Sequence, residues 1–341
     1  MGSTRAVRIW IGEIPRVLHR RRGTLDHMNR TATCIVLSAS LAVLLLPSQK
    51  VCAFELVPVD AGRGPVDLYV PDANTPSSPM PLLLLLHGYT SSGSVQEAYM
   101  NFSAVVDEFG VLYAHPDGTV DAAGNRFWNA TNACCNFFNS PVDDSGYLRG
   151  LIDLISSSYS VSDVYLVGHS NGGFMSYRMA CDHSDRITAI AGLAGATFLD
   201  PADCGSPSPV HVLQIHGTND NTIFYNGGCL GANCYPGAVS SVEQWAGFAG
   251  CDPIPDTSAP DLDLVLGNPT PDTTVSRYVA GCSQGGSGTL WSIIDGSHSP
   301  NLVPDFSRQV ADYFFSLPDE GEVFGDGFES GETSAWSTVV P

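Results

Sequence analysis

Apolar and polar residues alternate along this chain in blocks that predict strands followed by helices. Short apolar runs bounded by turn residues predict strands, and longer stretches with apolar residues three or four positions apart predict amphipathic helices. The predicted strands are an edge strand at 66–70, a fully buried strand at 81–86, and strands at 111–114, 164–167, 187–193, 210–215, 275–279 and 290–294. The predicted helices cover 95–109, 147–157, 174–181, 239–248 and 306–315, with Asp143 or Asp144 able to cap the second. This order predicts an α/β fold in which helices cover both faces of a mainly parallel sheet.

The two ends of the chain differ from the rest in composition. An N-terminal extension at 1–53 contains a candidate start at Met28, a positive charge at Arg30, an apolar core at 35–46 and the small-residue pattern Val51-Cys52-Ala53, which together predict a signal peptide. Its apolar core is too short to span a bilayer, so we expect export and cleavage near Ala53 rather than a stable membrane anchor. An acidic tail at 318–341 resembles short tails of exported bacterial proteins, and a sorting signal or an unstructured end are both open. The segment 54–317 is predicted to be one α/β domain.

The segment from Phe54 onward is strongly acidic, with 33 Asp and Glu residues against seven Arg and no Lys. Such a surface repels phosphate backbones and anionic lipids, so we expect no nucleic-acid partner. The same segment has an even number of cysteines, which in an exported chain predicts disulfides: Cys134, Cys135, Cys181, Cys204, Cys229, Cys234, Cys251 and Cys282. Their spacing fits no zinc motif, and we expect no metal. The pairing is open, although Cys251 and Cys282 bracket a Pro- and Asp-rich loop at 252–273 that a bridge would tether.

A sharp turn is predicted where the apolar run at 164–167 ends. The residues Gly168-His169-Ser170-Asn171-Gly172 form a G-x-S-x-G pattern, and a helical pattern begins at Phe174. A serine hydroxyl is a weak nucleophile unless a base activates it, and hydrolases hold such a serine at a strand-to-helix turn. Ser170 is therefore the predicted nucleophile, with an ordinary glycine-rich turn as the alternative.

Two later strands end beside side chains that would complete a catalytic triad. Asp220 lies in the turn after 210–215 and His298 follows 290–294, which gives the chain order Ser, Asp, His of α/β hydrolases. In this interpretation His298 takes the proton of Ser170 and returns it to the leaving alcohol, while Asp220 orients the imidazole. Asp220 as a loop cap and His298 as a turn residue are the alternatives. Because the base must be neutral, we expect kcat/KM to rise with pH through about 6 to 7.

Other histidines and aspartates compete for these roles on weaker grounds. His87 and His216 each precede a glycine at a strand end, where we expect them to brace loops. His169 is expected to point away from the nucleophile beside it. The competing acids are Asp200, Asp203 and Asp295, the last being too close in sequence to His298 for a triad contact.

Ester cleavage also needs two backbone N–H groups that bind the oxyanion. Asn171, the residue after the nucleophile, is predicted to supply one. The loop after 81–86 is predicted to supply the other, through Tyr89 with Thr90 as the fallback. The candidate aromatic contacts to a substrate are Tyr89, Phe224, Tyr225 and Trp291, and core packing is the alternative for each.

Several short motifs together resemble the family of poly(3-hydroxybutyrate) depolymerases and feruloyl esterases. They are Trp128, Ala133-Cys134-Cys135, Val142-Asp143-Asp144-Ser145-Gly146-Tyr147-Leu148-Arg149, the turn at 168–173 and His216-Gly217-Thr218-Asn219-Asp220. Over roughly residues 66–317, the resemblance implies the α/β-hydrolase fold and catalytic roles for Ser170, Asp220 and His298. It also implies an oxyanion hole at Tyr89 and Asn171. Many members follow the catalytic histidine with a tryptophan-proline pair, whereas this chain has Ser299-Pro300.

The combined interpretation is a secreted serine ester hydrolase whose catalytic domain is 54–317, which forms an acyl-enzyme and needs no cofactor. The resemblance implies a substrate among feruloyl or acetyl esters of plant cell walls, or among polyesters of the poly(3-hydroxybutyrate) type. The loop at 223–236 follows the predicted acid and is expected to rim the substrate pocket. A serine peptidase of the prolyl-oligopeptidase type and a non-catalytic polymer-binding protein are the alternatives.

Overall fold

Nine of the strands form one sheet in the computed structural model, which describes residues 54–72 and 79–318. The predicted signal peptide and residues 319–341 of the predicted tail lie outside the described residues. In chain order the strands are β1 (Phe54–Val59), β2 (Val66–Pro71), β3 (Met80–Leu86), β4 (Leu112–Ala114), β5 (Thr119–Val120), β6 (Arg126–Phe127), β7 (Val161–His169), β8 (Ala189–Leu193), β9 (His211–Gly217), β10 (Gly228–Leu230), β11 (Asn233–Tyr235), β12 (Thr273–Tyr278) and β13 (Ser287–Ile293).

The middle of this sheet is parallel and its edges are antiparallel. Its order is β1-β2-β4-β3-β7-β8-β9-β13-β12, while β5 with β6 and β10 with β11 form two separate ribbons. Each neighbouring pair from β4 to β13 is parallel. The strands β1, β2 and β12 add the antiparallel pairs at the two edges.

Helices cover both faces of the sheet. They are α1 (Gly93–Met100), α2 (Val106–Phe109), α3 (Asp144–Ser158), α4 (Asn171–Asp182), α5 (Ala238–Phe248) and α6 (Phe306–Phe315), and 3₁₀ turns cover Phe102–Val105 and Pro201–Cys204. Leu82 and Leu84 of β3 pack into a core shared with α3 and α4. Leu83 and Leu85 point to the other face, into a core shared with α1 and α6. The predicted α/β class is thereby confirmed. Among the helices of residues 54–72 and 79–318, none combines the length and apolar character needed to cross a bilayer.

Most predicted elements are confirmed, with bounds that shift by at most three residues. The prediction that the strand at 66–70 lies at the edge of the sheet is wrong. This strand is β2, and β1 pairs with it along its whole length and forms the edge. Strand β1 is only half-buried and contains Pro58, a residue that an edge strand tolerates because it needs fewer N–H donors.

Of the two residues predicted to cap the start of α3, Asp143 does so, since its Oδ1 accepts the Gly146 N–H at 2.7 Å.

The single helix predicted at 95–109 is also wrong. Helix α1 ends at Met100, and Asn101 adopts the left-handed region with φ of 55° before a 3₁₀ turn and α2 follow. The carboxylate of Glu97 accepts the N–H groups of Phe102 and Ser103, each at 3.0 Å. These side-chain bonds satisfy donors that a continuous helix would have used, and asparagine tolerates the left-handed conformation at the break.

The cysteines of the described residues are paired in four disulfides. The pairs are Cys134–Cys135, Cys181–Cys204, Cys229–Cys234 and Cys251–Cys282. The last pair tethers the loop at 252–273, as the sequence predicts. Inside that loop the buried carboxylate of Asp272 accepts the N–H groups of Leu264 and Val265, so the loop is fixed at both its ends and its middle.

A buried histidine at the start of β9 makes stability dependent on pH. His211 is 3% exposed, and burial lowers its pKa to about 4. An unfolded histidine titrates at about pH 6.5, so between pH 6.5 and 4 the unfolded chain binds a proton that the folded chain does not. Stability is therefore unaffected by this group above pH 6.5 and falls by roughly 2 kcal/mol on acidification to pH 5.

Urea unfolding at pH 7 and pH 5 measures this effect. The variant His211→Asn cannot titrate in this range, and we expect its stability to fall less on acidification than that of the wild type. An equal fall in both proteins would show that His211 is not the group responsible.

Candidate active site

Ser170 lies at a sharp turn between β7 and α4, in a backbone conformation that residues other than glycine rarely adopt. Its φ is 54° and its ψ is −119°, a conformation of the kind that costs of order 1–3 kcal/mol and persists where the surroundings enforce it. A Cβ on Gly168 would lie 2.1 Å from the Gly172 oxygen, and a Cβ on Gly172 would lie 2.1 Å from the Leu86 oxygen. Both glycines of the motif are therefore required. An ordinary glycine-rich turn would place the positive φ on a glycine.

The structure brings Ser170, His298 and Asp220 into one hydrogen-bonded chain. His298 Nε2 lies 3.0 Å from Ser170 Oγ, and His298 Nδ1 lies 2.8 Å from Asp220 Oδ2. Asp220 follows β9 and His298 follows β13, two neighbouring strands that are parallel to β7. Because parallel strands end at the same edge of a sheet, side chains far apart in sequence meet at this point.

Asp220 is buried and holds two different sets of hydrogen bonds. Its Oδ1 accepts the N–H groups of Thr222 at 2.8 Å and Ile223 at 3.0 Å, so it does cap its own turn. Its Oδ2 faces His298 and also lies 3.3 Å from His216 Nε2. Burial alone would raise the pKa of Asp220, but the bonds from His216, His298 and Thr222 hold that pKa well below its ordinary value. The carboxylate is therefore ionised at neutral pH.

Two backbone N–H groups beside the nucleophile have no partner among the described residues. They belong to Tyr89 and Asn171. Thr90 is not available, since its N–H donates to the Arg126 oxygen at 2.9 Å. A Cβ built on Gly88 would touch the Cβ of Ser170 at 3.4 Å, so the loop that carries Tyr89 lies against the nucleophile. Asn171 is the first residue of α4, where an N–H has no partner within the helix.

The loop that carries Tyr89 is held by hydrogen bonds to two other segments. The Gly118 N–H donates to His87 Nε2 at 2.9 Å, which leaves His87 Nδ1–H to donate to the Gly88 oxygen at 2.8 Å. Gln96 Oε1 accepts the Gly88 N–H at 3.3 Å. The prediction that His87 braces a loop is confirmed. Gln96 was not predicted from the sequence, because a glutamine on a helix belongs to no motif.

His169 does not point away from the site, and the prediction that it does is wrong. Its ring lies 5.1 Å from that of His298 between centroids, and its Nε2 contacts the His298 carbonyl oxygen at 2.9 Å. The Tyr99 hydroxyl donates to the Pro300 oxygen at 2.8 Å, which fixes the same loop. Burial, reinforced by the charge of His298, lowers the pKa of His169 to about 4. Strand alternation would direct His169 away from Ser170, but β7 ends here and the turn redirects the side chain.

A cavity of about 420 Å³ opens beside Ser170. Its wall includes Tyr89, Val95, Tyr99 and His169. Phe137 meets the Tyr89 ring edge-on at 5.2 Å between centroids, and Phe137 is 49% exposed. An exposed aromatic ring therefore packs against Tyr89 in the cavity wall, where the predicted substrate contact at Tyr89 is possible.

Trp291 and Tyr225 do not line this cavity. Trp291 is 5% exposed and packs edge-on against Tyr313 of α6, so its predicted substrate contact is wrong and the core-packing alternative is right. The Tyr225 hydroxyl is bonded to Ser292 Oγ at 2.7 Å. Among the described residues, the loop at 223–236, which includes Phe224, contributes none to the cavity wall. Sequence spacing located this loop after the acid but could not determine which way it runs.

The competing acids either have other partners or face solvent. Asp200 caps the 3₁₀ turn that follows it, Asp203 accepts a bond from Asn132 at 2.9 Å, and Asp295 is exposed. In the part of the chain that the structure describes, no group of three or more His, Cys, Asp and Glu side chains could hold a metal ion. The polar groups that meet at Ser170 can therefore move a proton and bind an oxyanion, and they offer no metal cage.

A mainly parallel sheet with helices on both faces, a serine at a strained turn after a central strand, and an acid and a histidine after later strands define an α/β hydrolase. A solved structure with this fold, an acetyl xylan esterase from Aspergillus awamori, matches with a TM-score of 0.50 and 15% identity, over 76% of this chain and 99% of that one.

The chain is similar in sequence to named esterases and a depolymerase. Feruloyl esterase B from Piromyces equi is 29% identical over 200 residues, which are 56% of this chain and 36% of the relative. A poly(3-hydroxybutyrate) depolymerase from Ralstonia pickettii is 31% identical over 134 residues, which are 36% of this chain and 26% of the relative. Feruloyl esterase C from Emericella nidulans is 26% identical over 54% of this chain and 70% of the relative. The chain thus spans about a third or less of the length of the first two. The predicted resemblance to this family is confirmed, although no family model matches the chain.

Proposed function

We propose that this protein is a serine carboxylic-ester hydrolase that works through an acyl-enzyme on Ser170. The observation that carries the proposal is the continuous chain from Asp220 through His298 to Ser170, with contacts of 2.8 and 3.0 Å. A carboxylate, an imidazole and a hydroxyl at these distances are the parts needed to activate a nucleophile.

The reaction begins when Ser170 Oγ attacks the ester carbonyl carbon and its proton moves to His298 Nε2. The carbonyl oxygen becomes an oxyanion, which the N–H groups of Tyr89 and Asn171 bind. His298 then gives the proton to the alcohol oxygen as the carbon–oxygen bond breaks, and the acyl group stays on Ser170. Water repeats the sequence in the second half, releasing the acid and restoring the serine. Asp220 keeps the proton of the resting imidazole on Nδ1 throughout.

The proposed substrates are feruloyl or acetyl esters of plant cell walls, or polyesters of the poly(3-hydroxybutyrate) type. The names of the relatives support both classes. The cavity beside Ser170, with its exposed aromatic edge, would accept an acyl group and leave the rest of a polymer on the surface. We place the protein outside the cell, since its predicted signal peptide and four disulfides both suit an oxidising compartment.

A panel of small substrates tests the class of activity. The protein is expected to release p-nitrophenol from short p-nitrophenyl esters and nothing from peptide p-nitroanilides. Turnover of the anilides alone would favour the peptidase, and retention on insoluble polymer without any turnover would favour a binding protein. Initial rates on methyl ferulate, acetylated xylan and poly(3-hydroxybutyrate) film then identify the ester class.

A further inference from the structure

A buried chain of polar side chains leads from the helix after the nucleophile to the acid of the triad. The Tyr177 hydroxyl of α4 donates to Gln214 Oε1 at 2.8 Å. Gln214 Nε2 lies 2.9 Å from His216 Nδ1, and His216 Nε2 lies 3.3 Å from Asp220 Oδ2. Each of these four residues is at most 4% exposed. Gln214 and His216 are two positions apart on β9, so their side chains share one face of the strand.

The direction of each bond in this chain follows from its donors. Gln214 Oε1 accepts from Tyr177, so the other end of the amide is the donor and gives one hydrogen to the Gly195 oxygen at 2.9 Å and one to His216 Nδ1. His216 Nδ1 is then an acceptor, and the ring proton is on Nε2. That proton is directed to the Ile223 oxygen at 2.8 Å and to Asp220 Oδ2. The neighbouring amide therefore selects the tautomer of His216.

We propose that His216 is a positioning residue for the reaction, through which Gln214 and Tyr177 orient Asp220 and take up part of its negative charge. This inference rests on the proposed function and extends it to a residue that touches no substrate. Apolar side chains of similar volume would fill this space without the cost of desolvating polar groups. The polar chain instead ends on Asp220 Oδ2, the oxygen that also bonds His298. It therefore acts on His298, the base, through Asp220, the acid.

Among the described residues, few other charged or polar side chains face His298 and His216. The ring of His169 lies beside His298, and with its pKa at about 4 it is neutral from pH 5 to 8. The ring of Tyr225 stands edge-on to His216 at 5.7 Å, and the Tyr235 hydroxyl accepts the Phe224 N–H nearby. Burial raises the pKa of the Tyr235 hydroxyl, which is therefore neutral in this range. Without the His216 N–H, His298 would be the only imidazole that bonds Asp220 Oδ2, and more of the negative charge of Asp220 would act on it. That charge favours the protonated imidazolium of His298, which is inactive as a base.

Steady-state kinetics of three full-length variants from pH 5 to 8 test the proposal. In His216→Asn the shorter amide can still meet Gln214 but cannot reach Asp220. We expect its kcat on a p-nitrophenyl ester to fall about tenfold with little change in KM, and the acid limb of kcat/KM to move to higher pH by about half a unit. His216→Gln places an amide N–H near the position of Nε2 and is expected to recover most of the kcat and the position of the limb. Tyr177→Phe keeps the packing, and its effect on kcat should be smaller.

The outcomes separate this inference from the proposed function. If the wild type does not hydrolyse esters, the proposed function fails. If the wild type is active but His216→Asn keeps its pH limb, or His216→Gln is no better than His216→Asn, His216 has a structural role only and the positioning role is wrong. Thermal unfolding of each variant shows whether kcat has fallen because the protein is unfolded. In that case the position of the acid limb, measured on the folded fraction, still decides whether His216 has the positioning role.

Discussion

Replacement of Ser170 by alanine is expected to lower kcat/KM for a short p-nitrophenyl ester by at least about 10⁴-fold, because no acyl-enzyme can form without the hydroxyl. Initial rates with wild type and variant under identical conditions measure the effect. The fold should be unchanged or slightly more stable, since alanine removes a polar group without disturbing the glycines that shape the turn.

A serine outside the cavity wall provides the matched control. Ser157 is exposed on α3, and Ser157→Ala should leave both kcat and KM unchanged. Equal turnover by Ser170→Ala and wild type would show that ester cleavage takes place elsewhere on the protein or without covalent catalysis.

Replacement of Asp220 by asparagine is expected to lower kcat by about 10⁴-fold, with little change in KM. An amide at this position can donate to His298 Nδ1, which would move the imidazole proton to Nε2 and leave no acceptor for the proton of Ser170. The pair Asp220→Asn and Asp295→Asn makes the measurement specific. Asp295 is exposed three positions before His298 with φ of 56°, a conformation that asparagine tolerates, so Asp295→Asn should retain wild-type kcat.

The reverse result, in which Asp295→Asn is inactive and Asp220→Asn is active, would transfer the role of the acid to Asp295. Both variants should first be shown to fold, because Asp220 also accepts two backbone bonds in its own turn.

Strands buried on both faces were the most predictable part of the fold. The leucines of β3 form an unbroken apolar run, a pattern that parallel strands covered by helices on both sides require. The helix break at Asn101 was not predictable from periodicity, because the apolar spacing continues through it. What ends the helix is the Glu97 carboxylate, which bonds two N–H groups beyond Asn101 and whose direction is determined only in the folded chain.

The candidate triad was predictable because each of its members follows a strand, and the ends of parallel strands converge. Contacts that depend on the direction of a side chain were not. Trp291 lies in the same strand that leads to His298, yet it points to the face covered by α6 and packs there against Tyr313. His169 is next to Ser170 in sequence, and only the turn after β7 brings its ring beside His298.

Reaction with a serine-directed fluorophosphonate, followed by mass spectrometry of the intact chain and its peptides, shows whether Ser170 is the activated nucleophile. The reagent reports an activated hydroxyl whatever the natural ester is. We expect one adduct per chain, located on Ser170 and lost in His298 variants that remain folded. An adduct on a different residue, or none on a preparation that hydrolyses esters, would contradict this expectation.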